Sequence, residues 1–193
     1  MTGLFQKVRD MSAAFWRETR GAAAAELGLI VTAVTVPLVN ITDLGIYAYQ
    51  KMQLENAAAA GAEAAWSKCH GGTPPAASNC SGLSTAVTAA IQSTSLTTRV
   101  TQPSGSPAEG YYCVLTTGAL QLVGTAGTVS SPPTKPSPFT CDAVTSHSAA
   151  SGTPPGDYVK VTANFTYAPM FPGVTVASFL PTNVTRTSWA RLN

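Results

Sequence analysis

Arg20-Gly21-Ala22-Ala23-Ala24-Ala25-Glu26-Leu27 runs directly into Gly28-Leu29-Ile30-Val31-Thr32-Ala33-Val34-Thr35-Val36-Pro37-Leu38-Val39. A tract of small residues leads to one acid, and the acid stands at the mouth of an apolar run. Residues 27–42 carry no charged side chain. That run is a little shorter than the roughly 20 residues a membrane-spanning helix needs. Ala22–Ala25 lengthen it, with Glu26 near one end. Thr32, Thr35, Asn40, Thr42 and Asp43 make it a poor lipid-facing helix, and Pro37 withholds a backbone donor, which kinks or loosens a helix.

Upstream lies a basic leader. Leu4, Phe5, Val8, Met11, Phe15 and Trp16 recur at roughly helical spacing, with Lys7 and Arg9 between them and Arg17 directly after. This suits a short helix on the inner membrane surface. It is not an ordinary signal peptide, because no A-x-A-like site follows a short apolar core. A peptidase cutting after Gly21 would instead leave the apolar segment on the mature chain. The leader carries the chain's whole net charge of +2, because the remaining residues hold equal numbers of acids and bases. Positive-inside logic places the N-terminus in the cytoplasm and everything after about Tyr47 outside. The absence of clustered Lys and Arg beyond the leader argues against nucleic acid as a partner.

Downstream, residues 44–66 continue as helix. Leu44, Tyr47, Leu54, Ala58, Gly61, Ala62 and Ala65 follow a three-and-four spacing. Ala57–Ala62 lacks side-chain bulk, so a sheet can approach closely. A helix from Ala22 to Trp66 would be about 68 Å long. The rest of the chain can cover only part of it, so the N-terminal half needs a membrane or other copies of the same helix.

The head reads as low-charge, Thr-rich and Pro-punctuated, with four cysteines, which points to an extracytoplasmic setting. Cys69 and Cys80 bracket a Gly/Pro loop, for which a loop disulfide is the simplest reading. Cys141 falls in a long irregular loop and is paired here with Cys113, although four cysteines allow three pairings. Ser81 or Ser84 would cap a second helix running to about Ser93, with Leu83, Val87, Ala90 and Ile91 on one face. Strands are expected at Thr97–Gln102, Tyr111–Thr117, 157–168 and Asn183–Leu192, with 118–156 irregular. Val174–Leu180 is apolar and is expected to pack over the sheet. The fold class is α+β: a long N-terminal helix packed on a small antiparallel sheet, with a short second helix and disulfide-tied loops.

No constellation for catalysis emerges. His70 and His147 lack metal-ligand spacing. No Ser sits in a G-x-S-x-G elbow and no phosphate loop occurs. The N-x-S/T triplets at Asn40, Asn79, Asn164 and Asn183 are expected by chance in so Thr- and Ser-rich a chain. Tyr111, Tyr112 and Phe171 read as core and turn residues. No cofactor, metal or small-molecule substrate is implied.

Three regions resemble the TadE-like family, minor pilins or pseudopilins of the Tad (tight adherence) branch of type IV pili. Gly21-Ala22-Ala23-Ala24-Ala25-Glu26 looks like that family's prepilin cleavage site. Leu54-Glu55-Asn56-Ala57-Ala58-Ala59-Ala60-Gly61-Ala62 is similar to the end of its long helix. Tyr158–Thr166, Tyr167-Ala168-Pro169-Met170-Phe171-Pro172 and Asn183–Arg191 look like its strand, Pro-flanked turn and last strand. Leu27 departs from the family, which usually has Phe there, and so does the polar stretch Asn40–Asp43.

The resemblance implies that an inner-membrane prepilin peptidase cuts after Gly21 and leaves Ala22 as the new N-terminus. It implies domains of 1–21 (cleaved leader), 22–66 (transmembrane and assembly helix) and 67–193 (extracytoplasmic head). The mature helix would sit in the inner membrane, with its head in the periplasm, and later join other pilin subunits at the cell surface. Glu26 would meet the N-terminal amine of a neighbouring subunit, an assembly role that the cost of an unpaired acid in apolar surroundings supports. The competing expectation is an uncleaved, signal-anchored envelope protein whose head binds a partner or surface.

Overall fold

A computed structural model describes residues 19–193. The leader helix expected over most of 1–21 therefore lies largely outside the described residues. The first element, α1, is a helix over Thr19–Cys69, and it contains Pro37 without interruption. Two shorter helices follow, α2 over Ala76–Asn79 and α3 over Leu83–Ile91. The strands are β1 (Val100–Thr101), β2 (Ala108–Val114), β3 (Leu120–Thr128), β4 (Gly156–Thr166) and β5 (Asn183–Arg191). The chain divides into two compact units. One takes the described residues up to Ile46 together with Pro169–Leu180, and the other takes Tyr47–Ala168 with Pro181–Asn193.

Within the second unit, β4 is the centre of an antiparallel sheet. β5 pairs with it from Tyr158↔Arg191 to Thr166↔Asn183. Its other edge is shared: β2 takes the start, Tyr112↔Gly156 to Ala108↔Lys160, and β1 takes the end, Val100↔Phe165. β3 then pairs with β2. The sequence of β4 explains its place. Asp157, Val159, Val161, Ala163 and Phe165 are buried, while the residues between them are half-buried. That is the period-two pattern of a strand with one fully covered face.

The face of α1 in this unit is made of Leu54, Ala57, Ala58, Gly61, Ala62 and Ala65, all buried. Their spacing of three and one puts them on one stripe. The stripe is nearly flat because it is built from small residues. A Cβ added at Gly61 would stand 2.8 Å from Ile91 Cγ2 and 2.9 Å from Val161 Cγ1, so this glycine sets how closely α1 meets α3 and β4. Leu83, Val87 and Ile91 supply the buried face of α3. Tyr47 and Tyr167 meet edge to face, with centroids 4.9 Å apart.

Both cysteine pairs form as read, Cys69–Cys80 and Cys113–Cys141. Several sequence expectations need correction. Leu44 is exposed rather than on the covered stripe. Neither Ser81 nor Ser84 caps α3. Gly82 is its N-cap in a left-handed conformation, without a side-chain hydrogen bond. The strand expected at Thr97–Gln102 is a 3-10 turn, Thr97–Arg99, followed by only two strand residues. The irregular span 118–156 contains β3, which forms a hairpin with β2. β3 is mostly exposed and carries Gly124 and Gly127, so it shows neither alternation nor β-branched density. Phe171, Val174, Val176 and Phe179 are exposed; in the 3-10 turn Val176–Phe179 only Ala177 is buried.

Candidate functional site

Gly21, Ala22 and Glu26 lie in the N-terminal turns of α1, all exposed. A Cβ added at Gly21 would meet nothing within 4 Å, so the backbone there is open to approach. Beyond Glu26, the side chains of Leu27, Leu29, Ile30, Val31, Val34, Val36, Leu38 and Ile41 are exposed, from 47% at Val36 to 72% at Leu29. Consecutive helical residues point about 100° apart, so Leu29, Ile30 and Val31 put apolar surface on every side. A stretch of this helix has mean hydropathy 1.9 and none of it is buried, and by length and composition it could cross a membrane. Full burial of each such side chain is worth about 1.5–3 kcal/mol, and the exposure seen here forfeits a large part of it. The segment calls for a cover that a single copy does not provide.

Several polar residues in the apolar part of this helix have partners. The Thr32 hydroxyl donates to Gly28 O at 2.8 Å, and the Thr42 hydroxyl to Leu38 O at 2.9 Å. Asn40 Nδ2 donates to Val36 O at 2.8 Å. These back-bonds satisfy the side chains within the helix itself. Asn40 and Asp43 also hold a remote segment. Asn40 Oδ1 accepts from the Val176 amide at 2.8 Å. The Asp43 carboxylate, fully buried, accepts from the Met170 amide at 2.9 Å and the Thr175 hydroxyl at 2.5 Å. The polar stretch Asn40–Asp43 is therefore a clamp on Pro169–Leu180, within one compact unit. Sequence reasoning marked these residues as unusual but could not name partners some 130 positions away.

A family comparison covers this same region: residues 21–63 match the family model described as TadE-like protein. This segment is similar to that family. The match opens at Gly21, takes in Glu26, the exposed apolar run and the Asn40–Asp43 clamp, and closes on the buried small-residue stripe. The TadE-like family is associated with Tad pili. No curated protein and no solved structure matches the chain.

In the second unit the structure brings together two acids that sequence reasoning passed over. Glu109 is buried, and its two oxygens accept from the Ala76 and Ala77 amides at 2.6 and 2.5 Å. It thereby fixes α2 inside the loop closed by Cys69–Cys80. Asp157 is also buried, and neither of its oxygens meets a donor. Burial first, and the neighbouring Glu109 second, push the Asp157 carboxyl up to about 8. Protonated, it can donate to Glu109, and the pair then holds one negative charge instead of two. The Tyr111 phenol is raised by the same burial and by both acids. The available signal was that Glu109 and Asp157 stand in or beside strands otherwise nearly free of acids. With Glu109 committed to two amides and Asp157 neutral, the pair acts as a strut for the loop.

The remaining sequence-singled residues sit in structural settings. His70 stacks on Trp66 with centroids 4.4 Å apart, and its Nδ1 lies 3.1 Å from Trp66 O. His147 forms an isolated bridge with Leu115. Among the described residues no group of three or more His, Cys, Asp or Glu is arranged to hold a metal ion. Cys113 and Cys141 lie at the heart of a small cluster with Val144, flanked by Leu115 and Val123.

Proposed function

We propose that the chain is a non-enzymatic minor pilin, or pseudopilin, of a bacterial Tad-type type IV pilus. The observation that carries this is that the TadE-like match, which begins at Gly21, takes in the exposed, all-round apolar run of α1. In this reading a prepilin peptidase cuts after Gly21, and Ala22 becomes the N-terminus. The small residues at 22–25 let the peptidase, and later neighbouring helices, approach the backbone. The helix rests in the inner membrane, with the leader side cytoplasmic and the head periplasmic, until it joins other pilin subunits and supports pilus biogenesis and adherence. Glu26, costly at the edge of a lipid core when unpaired, gains a partner in the neighbour's new amine and so favours correct register.

Intact-mass measurement of the membrane-extracted protein, with and without the peptidase, tests the reading. The mature chain is expected to begin at Ala22. Retention of residues 1–21 in the functional protein would overturn processing and leave a signal-anchored envelope protein. Glu26→Ala is expected to be cleaved normally yet to abolish assembly, scored by piliation. Normal piliation would remove the assembly role of Glu26.

A further inference from the structure

The apolar run of α1 ends where the clamp begins. From Glu26 to Asp43 the helix rises only about 26 Å, against a hydrocarbon core of about 30 Å. A span of that length leaves Asn40 and Asp43 at or inside the outer boundary of the core, where unpaired polar groups are expensive. The structure answers both problems with one segment. Pro169–Leu180, most of the connection between β4 and β5, supplies the Met170 and Val176 amides and the Thr175 hydroxyl to Asp43 and Asn40. The segment is also ordered by its own bonds, Gly173 N to Ser178 Oγ at 2.9 Å and Leu180 N to Ala177 O at 3.2 Å. Its polar groups face inward while Met170, Val174, Val176 and Phe179 are left exposed, Phe179 at 90%. Residues 168–185 contain no charged side chain. An apolar, uncharged loop is thus fastened to the end of a span that falls several ångströms short.

We propose that Pro169–Leu180 is a second membrane contact, an apolar collar that enters the outer interface of the lipid bilayer around the end of the helix. The occupant is lipid because the loop is continuous with the exposed apolar run in the same compact unit and extends it on the side where it is short. The collar rests on the reading of α1 as a membrane span. It gives the subunit a two-point hold on the bilayer that has to be released before assembly.

The test uses the full chain in vesicles of phosphatidylethanolamine and phosphatidylglycerol, with the photocrosslinker p-benzoylphenylalanine in place of Phe179. A parallel chain carries it in place of Val129, an exposed residue of the second unit. Phospholipid adducts are expected at 179 and are expected to be nearly absent at 129. Asp43→Ala, which unfastens the loop, should cut the adduct at 179 several-fold while the protein stays resistant to carbonate extraction. Carbonate-resistant protein without lipid adducts at 179, or with adducts only to another copy of the chain, overturns the collar and leaves the span intact. Equal lipid adducts at 129 and 179 also overturn it. Release of the protein by carbonate overturns the span itself, and the collar with it.

Discussion

Asp157→Asn should make the protein less sensitive to alkali and more stable near neutrality. The native carboxyl titrates at about 8, against 3.8 for an unperturbed aspartate. Between these values the folded state keeps a proton that the unfolded state gives up. Stability from this group is therefore fully present below about pH 4 and is lost as pH rises toward 8. Each pH unit inside the window costs about 1.4 kcal/mol, so moving from pH 5 to pH 7.5 costs roughly 3 kcal/mol. Asparagine has a neutral amide that can donate to Glu109 as the protonated acid does, with no proton to lose. Thermal melts of wild type and variant in one detergent, followed by near-ultraviolet circular dichroism from pH 5 to pH 8, read the difference. Titrating groups remote from Asp157 and Glu109 cancel in it. The variant's advantage should grow with pH, reaching on the order of 10 °C more at pH 7.5 than at pH 5, at roughly 2–4 °C per kcal/mol. Parallel pH profiles for the two proteins would refute the protonated pair, and a variant less stable at every pH would refute its equivalence to asparagine.

Two further outcomes follow from the packing of the second unit. Gly61→Leu should destabilise it by at least about 1–3 kcal/mol, because even a Cβ at this position would stand 2.8 Å from Ile91 and 2.9 Å from Val161. Urea unfolding checks it, and an unchanged midpoint would mean that α1 does not meet α3 and β4 this closely. Replacing both Cys113 and Cys141 with serine opens a 28-residue separation and should cost about 3–4 kcal/mol by loop entropy. Removing Cys69–Cys80, with a separation of 11, should cost about 1 kcal/mol less. Melting the two double variants side by side tests the ranking, and a reversed order would show that local packing outweighs loop length.

The elements that were legible in sequence are those whose signal is periodic and local. The uncharged run 27–42 and the small-residue stripe through Gly61 announce one long helix in two environments. Tyr158–Phe165 announces a strand through alternation, and Cys69 and Cys80 bracket their own loop. β3 was not legible, because an exposed, glycine-bearing strand takes its order from β2 rather than from its own side chains. The cap of α3 was misread because a left-handed glycine can serve where a serine is expected. Glu109 and Asp157 gave no sign of being a pair, since they are 48 positions apart in sequence and meet only through the register of β2 on β4.

The opening stretch by itself determined that this protein has a helix it cannot bury alone. That follows from hydrophobicity and the absence of charge between Glu26 and Asp43, quantities that need no partner to evaluate. The tertiary structure decided what the polar end of the helix is for. Asn40 and Asp43 looked like flaws in a membrane segment until the fold brought Met170, Thr175 and Val176 to them. Hydrogen-bond satisfaction depends on which distant backbone groups arrive, and chain order does not encode that locally.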